Sequence, residues 1–480
     1  MRTKANAPGP ARRVMRHLAV VVSVALVTVS AGPVGSAAAD AADVRVYTGT
    51  LAGAQYRVEV PARWNGTLLL WSHGLYPPPY VPPEVGLTSS PTTERWMLDH
   101  GYALAASNYR KPAGWSVKEA LGDQITLLDW FADTVGKPHR TISAGSSMGG
   151  LIAVLLAERN AGRFDGVAPL CGALAGSLGF FNTTLDVNFA VKTLLAPDSD
   201  LKLTHITDPA GTVARAKKII AAALKTKRGR ARLALAASLR PIPGWSRALE
   251  PRPTDVAGQV RAQAADWMSF FLLDITLGSV RADLERRAGG NPSWNAGVDY
   301  RRQLAHSRER TLVRRAYREA GLRLRADLHR LAAAPRIKPD AGAAAYLARY
   351  GRTRGRTPWP VVTLHTIGDG GAAPENEHEY ARRVRRSGDP GQLRRFFIDR
   401  AGHCLYTPAE EITTYRALLT RIGTGHWHRT GPRALNADAR AFGPAYHRLH
   451  DYIADQTGTA APAFVRYHPG PYLRPSASPR

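Results

Sequence analysis

The chain has 480 residues, 44% of them hydrophobic and 21% charged, with a formal net charge of +27 at pH 7. This balance excludes a disordered chain, and the length leaves room for about two or three structural units. The basic excess raises nucleic acid as a partner, but the arginines are scattered among alanines and acids without a binding motif or aromatic platforms, so it is read as GC-rich coding composition and no nucleic acid is expected.

The chain opens with Arg2, Lys4, Arg12, Arg13 and Arg16, then an apolar run from Leu18 to Val29, then small residues ending Ala37-Ala38-Ala39. This order predicts a secretory signal peptide over 1–39 and a mature protein starting near Asp40. The run is shorter than the ~20 residues a membrane span needs, so no stable membrane insertion is expected after its removal. Secretion is the expected localisation; Arg12-Arg13 bears only a weak likeness to a twin-arginine signal.

Alternation from Asp43 to Val60 predicts a hairpin turning near Gly53. Thr67 to Trp71 is an apolar strand of the kind buried on both faces of a parallel sheet. A helix over Thr92–His100, a strand over Tyr102–Ser107 and an amphipathic helix over Ser116–Val135 follow, the last opened by an expected Ser116/Glu119 capping box. Thr141 to Ala144 reads as a strand, Met148 to Ala161 as a helix and Gly166 to Leu170 as a strand. Helical periodicity then takes over, with candidates at Val213–Leu224, Val256–Arg287, Tyr300–Leu331 and Ala341–Tyr350. This stretch holds roughly twice as many Lys and Arg as Asp and Glu. Alternation returns with a strand at Val361–Ile367, a helix at Glu375–Arg386, a strand at Arg394–Ile398 and a helix at Pro408–Ile422. Beyond Gly423 one short helical stretch is expected near Tyr446–Ile453. The pattern predicts an α/β protein whose mostly parallel sheet is flanked by helices. Its expected parts are a first core half over 40–170, a helical cap over 171–357, a second core half over 358–425 and a C-terminal extension over 426–480. The cap is expected over the carboxyl edge of the sheet, where ligands of such sheets bind.

The chemistry centres on Gly145-Ser146-Ser147-Met148-Gly149, a G-x-S-x-G run at a strand-to-helix junction. So tight a turn wants glycine two residues either side of the nucleophile. Centred on Ser147 the flanks are Gly145 and Gly149; centred on Ser146 one flank is the bulky Met148. Ser147 is therefore the candidate nucleophile. A serine needs a base to take its proton and a carboxylate to orient that base. Asp369, in Gly368-Asp369-Gly370, and His403, in Gly402-His403-Cys404, each follow a predicted strand and stand in the order Ser, Asp, His. Asp369 also suits a plain turn, with Glu375 and Glu377 as fallback acids; His365, inside a strand, reads as a core residue or a support of the site. The oxyanion would be held by the backbone N–H groups of Met148 and Leu75, the latter after the His73-Gly74 entrance. His73 is expected to make a structural hydrogen bond in that loop. Tyr76-Pro77-Pro78-Pro79-Tyr80 would form either a stiff wall bordering the acyl pocket or a plain surface loop.

These motifs resemble those of the α/β-hydrolase superfamily, and most resemble secreted actinobacterial esterases and lipases. The resemblance covers roughly 44–197 and 359–423. It implies the α/β-hydrolase fold and hydrolysis of an ester or amide through an acyl-enzyme, with no metal or organic cofactor. It leaves the substrate open. Cys171 follows one sheet strand and Cys404 follows the histidine, so a disulfide pinning the histidine loop to the root of the cap is expected, similar in spirit to the bridge beside the catalytic histidine of tannase-like and feruloyl-esterase-like enzymes. The first function reading is a carboxylic-ester hydrolase acting on a small neutral or anionic ester. A serine exopeptidase of the same fold, an acyltransferase and an inert binding module are the alternatives.

Overall fold

The computed structural model describes residues 43–474. The expected signal peptide and its cleavage point lie outside the described residues. Eleven strands are present among those described: β1 (Val44–Leu51), β2 (Ala54–Pro61), β3 (Thr67–Ser72), β4 (Ala103–Ser107), β5 (Arg140–Ser146), β6 (Gly166–Leu170), β7 (Val361–Gly368), β8 (Leu393–Ala401), β9 (Arg448–Asp451), β10 (Gln456–Thr459) and β11 (Phe464–Val465). Nine form one sheet in the order β1-β2-β4-β3-β5-β6-β7-β8-β11. From β4 through β8 all neighbours run parallel, while β1, β2 and β11 pair antiparallel at the two edges.

The sequence explains the sandwiching. Every residue of β3, β4 and β6 is buried, as expected of strands covered on both faces. Within β3 the side chains alternate between two cores. Leu68 and Leu70 face a layer with Leu127 and Phe131 of α2 (Val117–Thr134) and Leu151 of α3 (Met148–Arg159). Leu69 and Trp71 face Met97 of α1 (Pro91–Asp99) and Leu418 of α15 (Pro408–Thr424). The α/β-hydrolase fold is thus present, with helices on both faces of a mostly parallel sheet.

Between β6 and β7 lie ten helices: α4 (Ser177–Leu195), α5 (Pro209–Leu224), α6 (Lys227–Ser238), α7 (Val256–Met268), α8 (Phe270–Leu277), α9 (Ser279–Ala288), α10 (Tyr300–His306), α11 (Arg310–Glu319), α12 (Leu324–Ala333) and α13 (Ala341–Gly351). Val187, Ala234, Val260, Trp267 and Val313 belong to a core of their own there. The insertion touches the loops that follow three sheet strands. Ser279 donates to the Pro78 carbonyl after β3 (3.2 Å), Arg287 to the Ala113 carbonyl after β4 (2.7 Å), and Arg240 to the Gly371 carbonyl after β7.

Several local expectations change. The helix expected over Val256–Arg287 breaks at Ser269, whose ψ of 148° is extended, and at Gly278. The helix expected over Tyr300–Leu331 breaks at Ser307 and again before Leu324, where Arg323 is extended. Helices α4 and α6 carry no strong period because most of their residues are buried; such helices have no polar face to reveal them. The Ser116/Glu119 capping box is absent: Ser116 donates its hydroxyl to the Lys111 carbonyl at 2.5 Å instead. A true capping box opens α15, between Thr407 and Glu410. The helix expected near Tyr446–Ile453 is a short 3-10 turn followed by the β9–β10 hairpin. There Asp451 accepts from the Ile453 and Ala454 amides, an Asx-type turn that competes with helix. The chain then adds β11 beside β8, and α14 (Glu375–Ser387) and α16 (Pro432–Arg440) complete the set.

Candidate active site

Register gathers the site at one sheet edge. Ser72 at the end of β3 pairs with Gly145, Ser146 at the end of β5 pairs with Leu170, and Gly368 of β7 pairs with Ala401 of β8. The loops that follow these strands therefore leave side by side.

Ser147 sits between β5 and α3 with φ 58° and ψ −121°. A positive φ is strained for a residue with a Cβ and is tolerated where the surroundings enforce it. Its amide donates to the Leu170 carbonyl at 2.9 Å, which holds it there. A Cβ on Gly145 would lie 2.5 Å from the Gly149 carbonyl oxygen and 2.6 Å from that of Ser72, and a Cβ on Gly149 would run into the Ser72 oxygen. The close approach of β3 to the elbow thus requires both glycines.

His403 follows Gly402, which has φ 91°. Its Nε2 lies 2.7 Å from Ser147 Oγ and its Nδ1 2.8 Å from Asp369 Oδ2. A neutral ring in this position donates Nδ1–H to the carboxylate and accepts the serine proton at Nε2. Gly371 lies flat on the ring, since a Cβ there would come within 2.6 Å of His403 Cγ.

Asp369 is fully buried. Its Oδ1 accepts from the Ala372 amide at 2.8 Å and its Oδ2 lies 3.3 Å from His365 Nε2. Burial pushes its pKa up, but the charges and hydrogen bonds of His403 and His365 outweigh that and hold it at about 2. His365, within β7, meets Glu377 at 3.0 Å on its other nitrogen. Burial would lower its pKa; the two carboxylates overcome this and raise it to about 10. The fallback acids are engaged elsewhere: Glu377 with His365 and Thr363, Glu375 beside Arg308.

The Gly74 backbone approaches Ser147, with a Cβ there 3.4 Å from Ser147 Cβ. Leu75 follows directly, and Met148 is the first residue of α3, whose amino end carries the positive pole of the helix dipole. His73 Nδ1 lies 2.6 Å from the Gly74 carbonyl, and its ring stacks between Tyr76 and Tyr109, each at 4.1 Å. Burial lowers its pKa to about 4, so it stays neutral.

Cys171 and Cys404 are joined by a disulfide spanning 233 residues, and Cys404 Sγ lies 3.4 Å from His403 Nε2. The bridge ties the segment after β6 to the histidine loop. Among the described residues, Cys171, His403 and Cys404 also have the closeness of metal ligands, within 4.8 Å of one another. Their two sulfurs are bonded to each other and the histidine is engaged by Ser147 and Asp369.

Three residues near the site escaped the sequence reading. Tyr452, after β9, accepts the His403 amide on its hydroxyl at 3.1 Å. Asp266 of α7 is buried against Gly370, next to Asp369. Burial and then the Asp369 charge push its pKa up to about 7, with Arg240 pulling the other way. Arg240, just past α6, reaches Gly371 and Thr183, with its guanidinium 4.7 Å from the Phe180 ring centre. All three come from the helical insertion or the C-terminal extension, where no motif marks them.

The strand order and the serine elbow define a chain with the α/β-hydrolase fold. No protein-family model matches it. It is 28% identical over 421 residues to the o-phthalyl amidase of Xanthobacter agilis, covering 81% of this chain and 89% of that protein. Among solved structures it is similar to brefeldin A esterase, a bacterial homologue of human hormone sensitive lipase, at 15% identity and TM-score 0.31, covering 85% of this chain and 78% of that one. A Pyrococcus furiosus esterase matches at 10% identity and TM-score 0.38, covering 81% and 92%. An Aspergillus oryzae esterase matches at 14% and 0.36, covering 80% and 81%. These scores are too low to add to the strand order.

Proposed function

We propose that the chain is a serine hydrolase that cleaves carboxylic esters through an acyl-enzyme. Ser147 Oγ attacks the carbonyl carbon while its proton passes to His403 Nε2. Asp369 orients His403 and stabilises the imidazolium. The N–H groups of Leu75 and Met148 hold the oxyanion. Collapse of the tetrahedral intermediate breaks the ester bond, and His403 returns the proton to the leaving alcohol. Water then attacks the acyl-serine by the same route, restoring Ser147 and releasing the acid. The hydrogen-bond line from Ser147 through His403 to Asp369, 2.7 and 2.8 Å, carries this reading. The insertion acts as a cap over the site.

A second reading, amide cleavage by the same machinery, is favoured by the similarity to a protein named as an o-phthalyl amidase. The disulfide fits export to an oxidising compartment, and no helix of the described residues is long and apolar enough to cross a membrane. Ester and aryl-amide panels run on the wild type and on Ser147→Ala test both readings. Turnover retained by Ser147→Ala would sink the mechanism; a wild type that takes amides and leaves esters would select the second reading.

A further inference from the structure

A groove of about 1390 Å³ runs between the end of α3, the end of α13 with the segment after it, and α14. Eight of its fourteen lining residues are arginine. At the chain-wide share of Lys and Arg, 65 in 480, about two of fourteen would be expected. The concentration is therefore local and exceeds what coding composition explains.

Helix ends account for part of it. Arg159, Arg349 and Arg386 lie in the last turns of α3, α13 and α14, where the dipole attracts cations. They do not account for Arg352-Thr353-Arg354-Gly355-Arg356-Thr357. In that run every arginine is exposed and every residue between is buried. The run is held in place by its backbone and its threonines. Glu158 accepts from the amides of Arg354, Gly355 and Arg356 at 2.7, 2.6 and 3.3 Å, and Thr353 donates its hydroxyl to the Leu174 carbonyl at 2.9 Å. Gly355 takes φ 80°, so the run bends there and closes three successive amides on the one Glu158 carboxylate, with the three arginine side chains left exposed around that bend.

The two acids of the groove are already committed. Glu158 is spent on those amides, and Glu379 on Arg382 and Arg383 at 2.6 and 3.0 Å. Arg352, Arg354, Arg356 and Arg386 form no salt bridge among the described residues, and Arg354 stands close enough to Arg159 to oppose its charge. The groove is somewhat larger than the roughly 300–1,000 Å³ of small-ligand sites, and its guanidinium forks suit oxyanions bidentately. None of its lining residues is aromatic, so it offers no platform for stacked bases.

We propose that this groove binds a linear chain of phosphate groups, read through its phosphates alone by the comb of Arg352, Arg354 and Arg356. The site stands apart from the Ser147 machinery and independently of the hydrolase reading.

The test is fluorescence-polarisation binding of end-labelled inorganic polyphosphate to the full purified protein. It compares wild type, R352Q/R354Q/R356Q, and a charge-matched control, R318Q/R323Q/R325Q, at three exposed positions elsewhere. The comb variant should lose at least about tenfold in affinity, and its log–log salt slope should fall by about three. The control should change less than about twofold, and millimolar orthophosphate should not compete. The single variant Arg354→Gln should cost about one unit of slope and keeps the test open if the triple variant folds poorly. Equal losses in comb and control variants would reduce the effect to net charge and overturn the proposal. So would no polyphosphate binding, or tighter binding of a single-stranded DNA oligonucleotide that depends on the same arginines.

Discussion

The sheet edge and the helical insertion place their polar groups in opposite ways. At the sheet edge, short loops after β3, β5, β7 and β8 carry Gly74, Ser147, Asp369 and His403, each set by strand register and by glycines that permit close approach. The insertion instead sends single side chains, Arg240 and Asp266, across to the Gly370–Gly371 loop from helices with a separate core. The difference teaches that the reacting atoms are positioned by backbone, while their surroundings are positioned by packing. Substitutions of the reacting groups at the sheet edge should then cost rate, and those of the groups that brace them should cost mainly stability or its pH dependence.

The sharpest break comes from Ser147→Ala. Ester turnover should fall by about four to six orders of magnitude with the thermal midpoint nearly unchanged, as triad removals do elsewhere. A midpoint that collapses with the activity would mean that the elbow serves the fold instead. Next, Cys171→Ser with Cys404→Ser opens a loop of 233 residues. Chain entropy puts the loss on the order of 5 kcal/mol, less if the unfolded chain keeps structure. Denaturant titration should show it, and a reductant should reproduce it in the wild type.

Asp266→Asn sharpens the contrast through pH. The wild-type carboxyl, facing Asp369, Arg240 and Asp451, has a folded pKa of about 7 against an ordinary 3.8. From pH 3.8 to 7 the unfolded chain has lost a proton that the native chain keeps, so stability falls as pH rises through this window and stays reduced above it. The asparagine variant should therefore be more stable than wild type at pH 8, by about 2 to 4 kcal/mol, and equal to it near pH 4. Thermal melts at the two pH values decide it; a gain that does not vary with pH would contradict the buried charge. The smallest effect is expected of Tyr452→Phe, which removes one hydrogen bond to the His403 amide. It should cost about 1 kcal/mol and leave kcat within about fivefold. A loss of several hundredfold would place the C-terminal hairpin inside the sheet-edge machinery and erase the contrast.

Legibility followed how local the physics is. Ser147 could be told from Ser146 because the requirement for glycine acts over two residues. Asp369 and His403 stood out because each closes a strand with a glycine-flanked turn. The core strands were plain because burial on both faces leaves unbroken apolar runs. Helices α4 and α6 were invisible because burial on nearly all sides erases the period that betrays a surface helix. The long apparent helices hid their breaks, since Ser269, Ser307 and Arg323 leave helical geometry through backbone torsions that residue type barely constrains.

By itself the sequence determined the first hairpin and the core strands of the sheet, the elbow, the order of the three candidate catalytic residues and the two cysteines able to bridge beside them, but not the edge strand β11. These depend on steric rules and patterns spanning a few residues. Only the tertiary structure decided that His365 and Glu377 brace Asp369, that Asp266 and Arg240 lean on the acid loop, that Tyr452 returns from the C-terminal hairpin to His403, and that eight arginines from three helices and the bent run after α13 line one groove. Those contacts join residues tens to hundreds of positions apart, and their partners are chosen by packing geometry that no local pattern encodes.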